Sequence, residues 1–146
     1  MPLRHAAHAV YDCQYHLVWA PKRRRPILSG AVSERLNVLL IEIGLAHDVE
    51  ISEWHVAEDH VHIFCHFPPR YSISTVVSRL KSLTARALFR EFPVLRQRMW
   101  GGELWEDGYF VRTAGEDLKS EVILRYIQSH REPPSTGPGD GQLDLF

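Results

Sequence analysis

The segment HVHIFCHF, residues 60–67, limits the possible folds more than any other part of the chain. Successive side chains of a β-strand point to opposite faces of the sheet, so the histidines separate from most of the apolar residues. One face would carry His60, His62, Phe64 and His66. The other face would carry only apolar side chains, Val61, Ile63, Cys65 and Phe67. A strand with this pattern belongs in a sheet that helices cover on its apolar face.

Hydrophobic periodicity predicts further strands and helices around this segment. The predicted strands are residues 9–19, 49–56, 60–67 and 109–113, and the predicted helices are residues 33–46, 75–89 and 117–130. The first six elements match the ferredoxin-like βαββαβ arrangement, which is also that of RRM-like domains. We therefore predict an α+β fold, with an antiparallel sheet, two helices on one face and an added C-terminal helix.

Length and composition are typical of one soluble domain, since 146 residues that are 45% hydrophobic suffice for a single core. We predict a domain over residues 1–131 and a flexible tail over residues 132–146, where Gly, Pro, Ser and Asp are frequent. No signal peptide and no apolar run of about 20 residues is present, so we expect a cytoplasmic protein without a membrane span. Cys13 and Cys65 lie in apolar runs and are expected to be buried free thiols.

The alternating histidines are the first candidates for chemistry. His60 and His62 would lie on one strand face about 7 Å apart, close enough to bind one metal ion. His66 shares that face. Two ligands leave a metal site incomplete, so at least one more must come from another element. The alternative is a pair of half-buried polar residues that bind nothing.

The predicted last helix offers further groups for such a site. Tyr126 and His130 are four residues apart and so lie on one helical face. A tyrosine hydroxyl beside a metal-bound phosphate oxygen can act as a nucleophile. The alternative role for Tyr126 is that of an amphipathic residue in the core.

Four separated segments resemble one family, in that family's order. They are YHLVWAPKRRRPIL (15–28), EDHVHIFCHFPPRYSISTVVSRLKS (58–82), LFREFPVLRQRMWGGELWEDGYFVRTAG (88–115) and YIQSH (126–130). The pattern of histidine, bulky hydrophobic residue and histidine at 60–62 is the HUH motif of single-strand DNA endonucleases. Over residues 10–131 the chain resembles the single-tyrosine HUH transposases of the insertion sequence 200/605 type.

The resemblance implies a small homodimer that cleaves and rejoins single-stranded DNA at hairpin-bearing ends, without a nucleotide cofactor. Tyr126 would attack a phosphate, leaving a 5′-phosphotyrosine and a free 3′-OH. His60 and His62 would hold a divalent ion, magnesium or manganese, at the scissile phosphate. In this family the tyrosine helix can be placed against the histidine pair of the other subunit, which gives a composite active site.

The chain departs from the family pattern at one position. The family has a glutamine four residues after the tyrosine, as the third metal ligand, and here that position is His130. Gln128 would lie about 200° around the helix from Tyr126 and so should not face the metal. We predict that His130 is the third ligand, with a shift toward softer ions such as manganese, cobalt or nickel.

A net charge of −1 means that DNA binding would depend on local basic patches. One predicted patch is a loop between two prolines, formed by Lys22, Arg23, Arg24 and Arg25. The other is a stripe at helical spacing, formed by Arg79, Arg86 and Arg90. Phosphate contacts at these patches would weaken as salt rises. A solvated run of charges is the alternative for the loop.

The chain ends in QLDLF after a stretch rich in Gly and Pro. This pentapeptide resembles the motif that binds the bacterial sliding clamp. Leu143, Leu145 and Phe146 would fill an apolar pocket, and Gln142 would make polar contacts. Such a contact would recruit the protein to replication forks, where single-stranded DNA is exposed, whereas the alternative is a tail of no function.

Three other functions fit parts of the same sequence. A domesticated HUH nuclease would cleave single strands without transposing. A catalytically silent ferredoxin-like module would only bind single-stranded DNA or RNA. A metallohydrolase would use water in place of Tyr126 as the nucleophile.

Overall fold

The structure of the chain, a computed structural model, describes residues 3–6 and 9–114. The strands are β1 (Arg4–Ala6), β2 (Ala9–Tyr11), β3 (Gln14–Trp19), β4 (Glu50–Ala57), β5 (His60–His66) and β6 (Phe110–Ala114). The helices are α1 (Gly30–Ala46), α2 (Ile73–Glu91) and α3 (Pro93–Arg98), with single 3-10 turns at Lys22–Arg24 and Trp100–Gly102. The helix predicted at residues 117–130 and the predicted tail lie outside the described residues. Within the described ranges, no helix has the length and apolar character that crossing a bilayer requires.

The main sheet has four antiparallel strands in the order β4-β5-β3-β6. α1 connects β3 to β4 and α2 lies between β5 and β6, so the predicted ferredoxin-like α+β fold is confirmed. The inner strands, β3 and β5, pair from Gln14 opposite His66 to Trp19 opposite Val61. The strand that carries the alternating histidines therefore has a hydrogen-bonded neighbour on each side.

The single strand predicted at residues 9–19 is wrong. β2 pairs with β1 in a separate two-stranded sheet, and the main sheet begins only at Gln14. The chain passes between the two sheets at Asp12 and Cys13, where the Gln14 side chain donates a hydrogen bond to Asp12 Oδ1 at 2.6 Å. A continuous run of β-favouring residues cannot show where a strand changes its pairing partner.

One helix boundary and one whole helix also differ from the prediction. α1 begins at Gly30, because Ser29 rather than Ser33 has the extended backbone of an N-cap residue. α3 was not predicted, although Pro93 is well suited to the first turn of a helix, where its missing N–H costs no hydrogen bond.

The apolar face of β5 lies in the core, as predicted. Val61, Ile63 and Cys65 are fully buried. They belong to one cluster with leucines of both long helices, Leu36, Leu40, Leu80 and Leu88. Burial of each such leucine contributes about 1.5–3 kcal/mol, which holds α1 and α2 on this face. Burial also raises the pKa of the Cys65 thiol, whereas Cys13 is only half-buried, contrary to the prediction.

The segment between α3 and β6 is held against α2 and against the start of the basic loop. Trp105 is buried, and its indole N–H donates to Thr84 Oγ1 at 3.0 Å. Lys81 Nζ donates to the carbonyl oxygen of Glu106 at 2.7 Å. Trp105 also forms a β-bridge with Pro21, the residue that precedes the basic loop. The loop therefore leaves the sheet from a fixed point.

Candidate functional site

Histidines from three strands meet on the sheet face opposite the helices. His62 lies in the middle of the group and is fully buried. The ring centroids of His60, His16 and His55 lie 4.6, 5.7 and 6.5 Å from that of His62. Strand register explains the group, because His55 of β4 lies directly opposite His62, and His16 of β3 lies opposite the next residue on that face, Phe64.

Each histidine of the predicted metal pair has its Nδ1 atom beside a side chain that can orient its ring. His60 Nδ1 lies 2.7 Å from Asp59 Oδ1, and His62 Nδ1 lies 3.5 Å from His16 Nε2. The hydrogen bond with His60, together with the charge of Arg24, holds the pKa of Asp59 below its usual range despite partial burial. An imidazole that donates from Nδ1 presents a lone pair at Nε2, as a metal ligand must.

The residues present fit a divalent transition ion. His60 Nε2 is buried, and no side chain or backbone group of the described residues forms a hydrogen bond with it. Leaving a buried polar atom unpaired is costly unless a ligand binds it. His60 and His62 supply two nitrogen donors, but no third His, Cys, Asp or Glu within residues 3–6 and 9–114 completes a metal-binding group. The predicted third ligand, His130, and the predicted nucleophile, Tyr126, lie outside these ranges.

Three neighbours of the metal pair were not predicted as site residues: His16, His55 and Asp59. The alternation of β3 was a usable signal for His16, since Leu17 and Trp19, which point to the opposite face of the strand, are core residues. Only strand register places His16 and His55 next to His62. The role of Asp59 follows from its position in the turn just before β5, where its side chain can fold back onto the next residue.

His66 shares the histidine face but belongs to a different cluster, at the other end of β5. Its Nε2 contacts Glu50 Oε1, and Arg4 Nη2 lies 2.6 Å from the same oxygen. His66 is buried, and this burial lowers its pKa, although Glu50 opposes the shift. The cluster lines a cavity of about 480 Å³ together with Tyr11 and Arg70.

We expect His66→Gln to lose less free energy of unfolding on acidification than the wild type does. Because the folded-state pKa of His66 lies below its unfolded value, the unfolded chain binds the proton first as the pH falls through about 6.5. The wild type should therefore lose more free energy of unfolding than the variant between about pH 7.5 and pH 5. Urea unfolding across this range measures the difference, and parallel curves for the two proteins would contradict the prediction.

The two predicted DNA-contacting patches lie on different sides of the sheet. In the basic loop, Arg24 Nη2 is 3.2 Å from Oδ2 of Asp59, whose other carboxylate oxygen contacts His60. The α2 stripe belongs to the helical layer, across the sheet from the histidines, and consists of Arg79, Arg86 and Arg90. The structure therefore brings the loop to the histidine pair, and the stripe does not approach it.

The other cations of the loop have their own contacts. Lys22 forms an ion pair with Glu103 at 3.0 Å, which raises the pKa of Lys22. Arg25 donates to the carbonyl oxygen of Arg98. Arg23 and Arg25 are exposed to solvent. The loop thus presents positive charge outward while its backbone is held by the rest of the domain.

The three residues of the α2 stripe have different surroundings, and only Arg86 borders the groove beside residues 102–109. Arg86 is exposed and lines a groove of about 520 Å³ between α2 and residues 102–109. Arg79 is half-buried, with its guanidinium carbon 5.9 Å from the ring centroid of Tyr71. Arg90 is exposed and lies 4.0 Å from Glu91. This is a second positively charged surface, separate from the histidine pair.

Comparison with known proteins shows the family to which the chain belongs. The family model described as "Transposase IS200 like" matches residues 9–130. The chain belongs to the IS200-like transposases. The match includes the histidine pair, the basic loop and the segment with Tyr126 and His130. This IS200-like transposase is accordingly an enzyme of DNA transposition, which cleaves DNA and transfers strands.

Curated relatives of the IS200-like transposase are also transposases of insertion sequences. The "ISDra2 transposase TnpA" of Deinococcus radiodurans is 34% identical over 123 residues, covering 84% of this chain and 87% of the relative. The "Transposase for insertion sequence element IS200" of Salmonella typhimurium is 30% identical over 131 residues, covering 90% and 85%. Both similarities extend over nearly the whole domain rather than over single motifs.

Two solved structures are similar to the IS200-like transposase. A crystal structure described as a transposase from Deinococcus radiodurans R1 has a TM-score of 0.72 and 34% identity, covering 86% of this chain and 96% of that one. A REP-associated tyrosine transposase bound to a REP hairpin has a TM-score of 0.63 at 15% identity, covering 87% and 71%. The second similarity concerns the fold alone.

Proposed function

We propose that this IS200-like transposase cleaves and rejoins single-stranded DNA at the ends of its insertion sequence, through a covalent bond between Tyr126 and a 5′-phosphate. The observation that carries the proposal is the buried pair His60 and His62, each with its Nδ1 beside an orienting side chain. In an enzyme of this family, such a pair has the chemistry of a metal site at the scissile phosphate.

The proposed reaction balances without a nucleotide cofactor. The Tyr126 hydroxyl loses its proton as its oxygen bonds to phosphorus, and the bond from phosphorus to the 3′ oxygen breaks. The departing oxygen takes up a proton and becomes a free 3′-OH. The phosphotyrosine conserves the bond energy, so a 3′-OH can later attack it and rejoin the strand.

His60 and His62 would hold a divalent ion, with His130 as the third ligand. Such an ion supplies positive charge that stabilises the negative charge developing on the scissile phosphate. Three imidazole ligands would favour manganese, cobalt or nickel over magnesium. The transposases of this group depend on a metal, which agrees with the donor set of this chain.

We further infer that the substrate is single-stranded DNA with hairpins near its ends, and that the active enzyme is a homodimer with composite sites. The solved REP-associated relative is bound to a hairpin, which supports a hairpin-bearing substrate. Arg23 and Arg25 are exposed and flank Arg24, which contacts Asp59, so they are suited to contact the phosphates on either side of the cleavage point. The reaction would take place in the cytoplasm.

Covalent trapping tests the proposed reaction. The protein is incubated with manganese and with labelled single-stranded oligonucleotides that carry the ends of the element. We expect a protein–DNA adduct that survives denaturing electrophoresis, together with a product ending in a free 3′-OH. Cleavage without any adduct would support water as the nucleophile instead of Tyr126. No cleavage of any end by the metal-loaded protein would support a binding module.

A separate proposal concerns the C-terminal QLDLF, whose residues Gln142, Leu143, Leu145 and Phe146 would dock into the bacterial sliding clamp. The full chain should bind the clamp, and Leu145→Ala with Phe146→Ala should remove binding without changing DNA cleavage. Titration calorimetry with purified clamp measures the affinity of the wild type and of the double variant. Equal binding of wild type and variant, or no binding by either, would contradict the proposal.

A further inference from the structure

The ammonium group of Lys81 connects α2 to residues 104–108, which we call the bridging segment. Its Nζ atom donates to the carbonyl oxygen of Glu106 at 2.7 Å and to that of Gly108 at 2.9 Å. A charged donor forms stronger hydrogen bonds than a neutral one. Both acceptors are backbone groups, so the contact fixes the course of the chain rather than the direction of a side chain.

The attachment of the bridging segment to α2 is partly shielded from water. Lys81 is half-buried, and this burial lowers the pKa of its ammonium group, although the charges of Asp107 and Glu106 oppose the shift. Three residues further along α2, the buried Thr84 accepts a hydrogen bond from the Trp105 indole N–H at 3.0 Å. α2 therefore holds the bridging segment by its backbone and by one buried side chain.

The bridging segment in turn holds the basic loop. The Lys22 N–H donates to the Leu104 carbonyl oxygen at 2.8 Å. The Arg23 N–H donates to Glu106 Oε1, also at 2.8 Å. The Glu106 N–H donates to the carbonyl oxygen of Ala20, just ahead of the loop, at 2.8 Å. Glu106 therefore contacts α2 through its carbonyl oxygen and the basic loop through its side chain.

The basic loop has a conformation that needs this support. Arg23 and Arg24 have φ of 58° and 53°, in the left-handed region that residues with a side chain seldom occupy. Such a conformation persists only where surrounding contacts impose it. The hydrogen bonds to the bridging segment come from the backbone of Lys22 and Arg23, directly at this strained turn. Without them, we expect the loop to populate other conformations as well.

We propose that Lys81 is a positioning residue, which keeps the basic loop in the conformation that contacts DNA phosphates by holding the bridging segment against α2. The proposal rests on the proposed function for one point only, the contact between the loop and DNA. Lys81 acts through the loop and not on the DNA itself, because two of its three N–H groups are already bound to backbone carbonyls. A loop that is ready for contact in only a fraction of the molecules lowers the apparent affinity by that fraction.

Hydrogen exchange in the DNA-free protein tests the positioning role. Lys81→Met keeps most of the side-chain volume and removes the donor, so the backbone amides of Lys22 and Arg23 should exchange about tenfold faster or more. Lys81→Arg, which keeps the charge and the N–H donors, should retain most of the protection. Ser82→Ala, a change at the exposed neighbour in the same groove, should have no effect. Unchanged protection of both amides in a folded Lys81→Met would overturn the proposal. Should that variant not fold, Lys81→Gln with the same readout replaces it.

DNA binding gives the second readout. Lys81→Met should raise the dissociation constant for a single-stranded oligonucleotide that carries an end of the element by about 5–20-fold, while cleavage at saturating DNA stays at the wild-type rate. The slope of log affinity against log salt should also stay unchanged, because Lys81 displaces no counterion. A slope smaller by about one would mean that Lys81 contacts a phosphate itself, which would overturn the proposal. Faster amide exchange with unchanged DNA affinity would instead refute the contact between loop and DNA in the proposed function, while leaving the positioning role intact.

Discussion

Tyr126→Phe should lower single-strand cleavage by about a thousandfold or more and remove the covalent adduct, because the variant keeps the ring and lacks only the attacking oxygen. DNA affinity should stay within about twofold of the wild type, since the change keeps the aromatic ring and removes only the hydroxyl. Denaturing electrophoresis of end-labelled oligonucleotides measures both cleavage and adduct, and fluorescence anisotropy measures affinity.

A matched control for this variant is Tyr109→Phe. Tyr109 is half-buried beside the groove along α2, on the helical side of the sheet, so loss of its hydroxyl should leave cleavage unchanged. Normal cleavage by Tyr126→Phe would show that another group attacks the phosphate. Loss of cleavage in both variants would indicate an effect on DNA binding rather than on the nucleophile.

His62→Ala should lower metal-dependent cleavage by about a hundredfold or more and weaken Co²⁺ binding by a similar factor. His62 is fully buried at the centre of the histidine group, so the variant loses a ligand and leaves a small cavity. The protein should also be less stable by about 1–3 kcal/mol, which thermal unfolding can measure. Cobalt absorption and cleavage assays measure the ligand role.

His55→Ala is the control that separates these effects. His55 lies on β4 directly opposite His62, with its ring 6.5 Å away, and no ligand role is assigned to it. It should also lose some stability but keep Co²⁺ binding and cleavage. If His62→Ala kept its cobalt affinity, or if both variants lost it equally, the assignment of His60 and His62 as the metal ligands would be wrong.

Tyr126→Phe and His62→Ala together test whether the subunits of the proposed homodimer share a site. If Tyr126 acts on the histidine pair of the other subunit, a mixed dimer of Tyr126→Phe and His62→Ala contains one intact composite site. Refolding the two inactive variants together should then restore part of the cleavage. Without restored cleavage in a mixture shown to form mixed dimers, each tyrosine would act within its own subunit.

The sequence predicted the fold because the long helices and the strands of the main sheet each have a periodic pattern of their own. The alternation at His60–His66 identified the histidine face and the core face of β5 without knowledge of any partner strand. Patterns of this kind are local, and they failed where an outcome depends on pairing. Residues 9–19 have one continuous strand pattern, yet the chain divides them between two sheets.

The contacts around the histidines could not be predicted without the strand register and the conformation of the basic loop. Arg24 was predicted as one of four equivalent loop cations, but only its guanidinium reaches Asp59. Arg23 and Arg24 have φ of 58° and 53°, in the left-handed region, and no sequence pattern reveals this strained loop conformation. Likewise, the α2 stripe was recognisable from its spacing, and only the layer order shows that it lies across the sheet from His60.

The inner position of β5 limits the local opening of the sheet around the histidine pair. His62 can leave its place only if the hydrogen-bond ladders to both β3 and β4 open, and such openings cost close to the free energy of complete unfolding. Backbone amides near His62 should therefore exchange with solvent among the slowest in the chain. The histidine pair therefore keeps its position. Any movement during transposition would come from the DNA and from elements outside this sheet.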